Sequence, residues 1–253
     1  MIQLSLIGIG TGNPDHVTLA AINALNHADL ILLPRKGDAK SDLIDLRRLL
    51  CRKLLSEKSS AEIVEFDLPT RREDHQYLEA VADWHTRIAE IWGELIQQHL
   101  PDGGRVGLMI WGDPSLYDSS LRIASRLSDK GKAVQVKVVP GITSLQVLTA
   151  EHCIPLNTIA EPVHITTGRR LRENGWPTQT SAMAVMLDSG GAFQTLPQDN
   201  IYIWWGAYLG MDKQCLINGP LKAVGQEIMT RRDRLKAEHG WIMDTYLMKI
   251  VAD

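Results

Sequence analysis

From Gln3 to Gly141, short apolar runs alternate with stretches whose apolar residues recur at helical spacing, and this alternation restricts the possible folds more than any other feature. Gln3-Leu-Ser-Leu-Ile-Gly-Ile-Gly reads as a strand ending in glycines, and Asn13-Pro14-Asp15 precedes a helical pattern over Val17–Ala28. A second strand, Leu30–Leu33, is closed by Pro34, and Asp42–Leu55 follows with Leu43, Leu46, Leu50 and Leu54 on one helical face. Glu62–Phe66 is a third strand. Tyr77, Val81, Trp84, Ile88, Ile91 and Leu95 step alternately by four and three, which predicts a long helix over His75–Leu100, stopped by Pro101-Asp102-Gly103-Gly104. Val106–Trp111, Leu116–Leu127 and Val134–Val139 then read as strand, helix and strand. Strands that are continuously apolar and separated by helices imply a mostly parallel sheet covered on both faces, with ligands held beyond the strands' C-terminal ends.

The second half reads differently. Met183–Leu187, Ile201–Trp205, Cys215–Ile217 and Trp241–Ile250 look like strands with fewer strong helices between them, and Arg170–Thr180 and the stretch near Gly37 read as loops. The expected fold is therefore α/β in two domains. Residues 1–140 form one with a mostly parallel sheet, and 141–253 form a mixed α+β domain. A hydrophobic fraction of 44% supports a sizeable core, and a net charge of -3 argues against nucleic acid or an anionic membrane as the main partner. Cys51, Cys153 and Cys215 are too scattered for a zinc site or a redox pair, the N-terminus lacks a basic leader, and no apolar run approaches the roughly 20 residues of a membrane span. A cytoplasmic protein with reduced thiols is expected.

Three loops stand where a parallel sheet holds ligands. Gly8-Ile-Gly-Thr-Gly-Asn fails the dinucleotide fingerprint at Asn13, and no acidic residue ends the second strand, which disfavours a nicotinamide cofactor; the glycines could also serve only a tight turn. Trp111-Gly-Asp-Pro-Ser-Leu-Tyr-Asp-Ser puts Asp113 at a strand end, as a ligand contact or a helix cap, and Pro140-Gly-Ile-Thr-Ser repeats the arrangement. No P-loop lysine is present, so a modestly charged adenosine-like ligand fits better than a triphosphate. No metalloprotease or nucleophile-elbow motif occurs. Of eight histidines, His85 on the long helix reads most simply as solvent-facing, and His164 adjoins a basic turn. Arg169, Arg170 and Arg172 could clamp carboxylates or could be solvated surface, as could Arg35, Lys36, Arg71 and Arg72.

Taken in order, the three loops resemble those of the tetrapyrrole methyltransferases, which use S-adenosylmethionine. The segments Asp83-Trp-His, Ile154-Pro-Leu-Asn, Glu161-Pro-Val-His-Ile-Thr-Thr-Gly-Arg-Arg, Met186-Leu-Asp-Ser-Gly-Gly-Ala-Phe, Trp205-Gly-Ala-Tyr-Leu-Gly and Gly240-Trp-Ile-Met-Asp-Thr-Tyr-Leu look like one branch of that family. That branch methylates C-1 of precorrin-5 and releases acetate in cobalamin biosynthesis. The resemblance implies a homodimer with its site in a cleft between two α/β domains, S-adenosylmethionine as cofactor with S-adenosylhomocysteine as product, precorrin-5 as substrate and no metal. It sets the cofactor against Thr11, Trp111, Gly112, Asp113, Leu116, Tyr117, Thr143, Ser144, Leu187, Tyr208, Leu209 and Ile242. Trp84, His85, Arg169 and Arg170 are expected to meet the substrate, and His164 or Asp188 to act as base for deacetylation. Thr11 replaces a family proline, Leu187 stands where many relatives have methionine, and Pro34 replaces an aspartate proposed as a base in some uroporphyrinogen methylases, so that role does not carry over. A methylase of another ring carbon and a non-catalytic tetrapyrrole carrier are the alternatives.

Overall fold

The computed structural model describes residues 1–35, 41–70, 77–129 and 133–251. The chain divides into two compact units, Met1–Ile142 and Thr143–Asp253. In the first, β1 (Ile2–Gly8), β2 (Leu30–Arg35), β3 (Glu62–Asp67), β4 (Gly104–Ile110) and β5 (Val134–Val139) form a sheet of order β3-β2-β4-β1-β5. Every pairing in it is parallel. Alternate residues of each strand enter opposite cores. Leu4, Leu6, Leu30, Leu32, Val106 and Leu108 pack with α3 (Tyr77–His99) and α4 (Ser120–Asp129), through Ile88, Trp92, Ile96, Ile123 and Leu127. Ile7, Ile31, Leu33 and Met109 pack with α1 (Leu19–Asn26) and α2 (Ser41–Leu54), through Ala21, Leu25, Ile44 and Leu50. Double-sided burial is why the strands read as unbroken apolar runs.

In the second unit β6 (Val163–Thr167), β7 (Ala182–Met186), β8 (Ile201–Ala207), β9 (Cys215–Pro220) and β10 (Asp244–Ile250) are ordered β6-β7-β10-β8-β9. The β6–β7 pair is parallel and the others antiparallel. Since β10 runs against both β7 and β8, the ends of β6, β7 and β8 and the start of β10 lie along one edge of this sheet. Helices α5 (Ser144–Glu151), α6 (Gly168–Asn174) and α7 (Leu221–His239) complete the unit.

Several details depart from the sequence expectations. Helix α4 begins at Ser120 rather than Leu116, because Tyr117 adopts a left-handed φ of 49° and the Asp118 carboxylate accepts from Ser120 N at 2.6 Å. The expected loop over Arg170–Thr180 begins inside α6, which the Thr167 hydroxyl caps by accepting from Arg170 N. Strand β6 and the 19-residue α7 are both additions to the expected elements. The loop near Gly37 lies outside the described residues.

Candidate active site

In the first unit the three glycine loops leave adjacent strands, β4, β1 and β5, at the sheet's C-terminal edge. They touch backbone to backbone. Gly112 N donates to Gly10 O at 2.8 Å, and Gly10 N to Gly112 O at 3.3 Å. A Cβ on Gly8 would lie 2.6 Å from Gly141 N and 2.8 Å from Gly112 O, and one on Gly141 would collide with Gly112 O and with the backbone of Gly8 at 2.8 Å. These glycines are required by close approach. The Asp113 carboxylate locks the cluster, accepting from Ser115 N and Gly141 N at 2.8 Å each and from the Ser115 hydroxyl. Burial alone would raise its pKa, but these donors outweigh it and hold the carboxyl below the ordinary aspartate value. Both oxygens are engaged, so Asp113 shapes the loops.

Around this cradle Thr11 is buried, Leu116 half-buried, and Tyr117 43% exposed. Thr11 Oγ1 and Trp111 Nε1 are buried without a hydrogen-bond partner among the described residues. Buried polar groups normally find partners, and a donor and an acceptor left open beside a glycine cradle fit a small polar ligand such as a nucleoside.

In the second unit, Leu187 follows β7 and Tyr208 follows β8, both left-handed, with φ of 51° and 49°. Bulky residues in this region cost about 1–3 kcal/mol and concentrate at functional turns. Leu187 is 65% exposed, whereas Leu209 is buried and the Tyr208 ring is sunk among Trp241 and His239, leaving its backbone at the edge. Tyr208 N donates to Met243 O at 2.9 Å, which sets Ile242 beside the same turn. Arg169 and Arg170 start α6 on this edge, exposed and close to Glu173. Thr143 caps α5 in a capping box with Gln146, and Ser144 Oγ lies 3.2 Å from Thr245 Oγ1 on β10.

Two expectations need correction. Trp84 packs, partly buried, against the first core and donates Nε1 to Pro69 O at 2.7 Å, and His85 is 4% exposed rather than solvent-facing. Burial, then the nearby Arg126 and Arg122, push the His85 pKa down. Asp188 is unsuited to be a base, since its side chain is fully buried and saturated. Oδ1 accepts from Arg172 at 2.8 Å and Gly190 N at 3.1 Å; Oδ2 accepts from Ala192 N at 2.5 Å and Tyr246 OH at 2.8 Å. Burial favours its neutral form, yet these donors prevail and its pKa lies below the ordinary value. His164 is exposed, opposite Met183 on β6 and short of the edge where the strand ends. Lys36, Arg71 and Arg72 lie outside the described residues, and Arg35 pairs with Asp67 at 2.9 Å.

A depressed folded pKa means that the folded state releases the Asp188 proton more readily than the unfolded chain, so its stabilisation is present above the unfolded aspartate value and lost as pH falls through the folded one. Asp188→Asn should therefore cost about 2 kcal/mol or more at neutral pH. Denaturant titrations against wild type should show that deficit shrinking only below about pH 4.

Arg232 carries no recognisable motif and Asp244 lies within the Gly240–Leu247 segment without having been singled out, yet they form a buried charge pair of this unit. Arg232 is 4% exposed on α7, with Nε 3.1 Å from Asp244 Oδ2 and Nη2 donating to Asp188 O at 2.9 Å; Trp205 Nε1 also donates to Asp244 Oδ2, at 2.9 Å. The position of Arg232 in the stripe Leu221, Ile228, Arg232 is the signal that could have found it.

A glycine cradle at the C-terminal edge of a parallel sheet, joined in one chain to a mixed second sheet with strained turns, defines a two-unit α/β protein. The profile of the tetrapyrrole (corrin/porphyrin) methylases matches residues 3–225, and the chain belongs to that family. It is 45% identical to precorrin-6A synthase [deacetylating] of a Sinorhizobium species, over 100% of this chain and 97% of that protein. The crystal structure of a cobalamin-synthesis-related protein, CobF, from Corynebacterium diphtheriae superposes with a TM-score of 0.85 at 38% identity, covering 100% of both chains. A uroporphyrin-III C-methyltransferase of Thermus thermophilus, solved with S-adenosylhomocysteine, shares the fold at a TM-score of 0.60 and 17% identity, over 98% of this chain and 92% of that one. No helix among the described residues is long and apolar enough to cross a membrane.

Proposed function

We propose that this protein is a methyltransferase of cobalamin biosynthesis that methylates precorrin-5 at C-1 and releases the acetyl fragment as acetate, giving precorrin-6A. The carrying observation is the full-length similarity to a precorrin-6A synthase. It is supported by the glycine cradle and the open polar atoms of Thr11 and Trp111.

The residues fit S-adenosylmethionine, which supplies an already electrophilic methyl group, so the protein's work is chiefly alignment and exclusion of water. Gly8, Gly112 and Gly141 give the ligand backbone rather than side-chain walls, Thr11 Oγ1 and Trp111 Nε1 offer an acceptor and a donor, and Asp113 keeps the loops in register. Leu116, Tyr117, Thr143, Ser144, Leu187, Leu209, Ile242 and the Tyr208 backbone complete the proposed cofactor set. Arg169 and Arg170 are proposed to bind peripheral carboxylates of the macrocycle.

Deacetylation adds a proton transfer. A base removes a proton from water as its oxygen bonds to the acetyl carbonyl carbon; the bond to C-1 then breaks, acetate leaves, and the electron pair released to the ring as an enamine makes C-1 nucleophilic. His164 is the base candidate that keeps an exposed side chain. His164→Ala should lower acetate release and methyl incorporation together by about 100-fold or more. Turnover equal to wild type in an anaerobic assay with precorrin-5 would remove His164 from the mechanism.

A further inference from the structure

The turn after β7 is held by far more than an exposed turn requires. Left-handed Ala160 and Asn200 also sit at exposed positions, yet among the described residues neither has a buried charged hub beneath it. Behind Leu187, by contrast, three separate elements converge on the next residue. Arg172 of α6 and Tyr246 of β10 reach opposite carboxylate oxygens of Asp188, and Arg232 of α7 reaches its backbone carbonyl. The hub also fixes a glycine, since a Cβ on Gly168 would overlap the Asp188 carboxylate. Side chain and carbonyl of Asp188, the residue directly after Leu187, are thus both held in place. Meanwhile Leu187 stays 65% exposed in a conformation unfavourable for its side chain.

We infer that Arg172, Arg232 and Tyr246 are positioning residues, which act through Asp188 to hold the Leu187 backbone in its left-handed conformation for ligand contact. The inference rests on the proposal that Leu187 belongs to the S-adenosylmethionine site. A catalytic role for Asp188 is at odds with an oxygen set already filled by four donors. A purely stabilising role would not need to centre on the residue adjoining a strained, exposed leucine.

The binding arm of the test uses the cofactor product, S-adenosylhomocysteine, so that it needs no turnover. S-adenosylhomocysteine is titrated calorimetrically into wild type, Tyr246→Phe, Arg172→Gln and Arg172→Lys, each also followed by thermal melting and by separate KM and kcat values for the cofactor. Tyr246→Phe and Arg172→Gln should each weaken binding by about fivefold or more, the factor expected when one hydrogen bond's worth of positioning is lost. They should melt cooperatively and raise the cofactor KM more than they lower kcat, and Arg172→Lys should recover part of the affinity. Wild-type affinity in the folded variants would overturn the inference. If Tyr246→Phe does not fold, Arg172→Gln decides alone, because the Arg172 side chain is 34% exposed and its loss leaves three of the four Asp188 donors in place. Failure of wild type itself to bind S-adenosylhomocysteine would overturn the cofactor proposal and this inference with it.

Discussion

Gly141→Ala should abolish S-adenosylhomocysteine binding and cost about 3 kcal/mol of stability, although it adds a single methyl group. The added Cβ would overlap Gly112 O and would lie 2.8 Å from the Gly8 backbone, and backbone at three adjacent strand ends cannot rotate away as a side-chain tip can. Relief would require the β5 loop to move, which would break the Gly141 N bond to Asp113 and release the carboxylate that keeps the β4 loop in register. Gly107 is the matched control. It lies in β4 of the same sheet, and its nearest contact would be the terminal carbon of Ile7 at 3.4 Å, so Gly107→Ala should be mild and should leave binding intact. Thermal melting and calorimetric titration of the two variants test whether the cradle depends on backbone contact at Gly141 or simply on a low-volume loop.

Removal of Arg232 is expected to be the most damaging change in the second unit. Arg232→Met would leave Asp244, 6% exposed, without its cation and with Trp205 Nε1 as its remaining donor to Oδ2, and would leave Asp188 O without its donor. Breaking a buried ion pair from one side costs about 3–5 kcal/mol, because the orphaned charge must stay desolvated or take up a proton. Burial already pushes the Asp244 carboxyl up against the pull of Arg232, so protonation would be its escape. The loss in Arg232→Met should accordingly be smaller at acid pH. Converting both partners, as in Arg232→Met with Asp244→Leu, should recover most of the stability, since an apolar pair avoids both desolvation costs. Chemical denaturation of the single and double variants reads the outcome; equal losses in both would show that the hydrogen bond to Asp188 O, rather than the ion pair, dominates.

These two sites also mark what could be read from the sequence. The first unit was legible because both faces of its sheet are buried, so each strand is an apolar run and each helix keeps a clean stripe; even the 23-residue α3 differs from its expected bounds by little. In the second unit a buried arginine interrupts the stripe of α7, and an otherwise charged helix hides its period. The five-residue β6 is too short and too exposed for its pattern to register. The glycine loops were legible as loops, but the requirement for Gly8 and Gly141 arises from strands paired across more than a hundred residues. Asp188 was conspicuous in sequence for the wrong reason. Its donors come from residues 2, 4, 16 and 58 positions away, so a free carboxylate and a saturated one look alike until the chain is folded. His85 misled in the opposite sense, because a histidine on a helix reads as surface unless the packing of the neighbouring tryptophan is known.

The most direct measurement is anaerobic incubation of the purified protein with precorrin-5 and methyl-labelled S-adenosylmethionine, with mass analysis of the tetrapyrrole and an assay for acetate. The account predicts one labelled methyl group in the macrocycle and acetate in equal amount. Label without acetate, or neither product from a protein that binds S-adenosylhomocysteine, would contradict it.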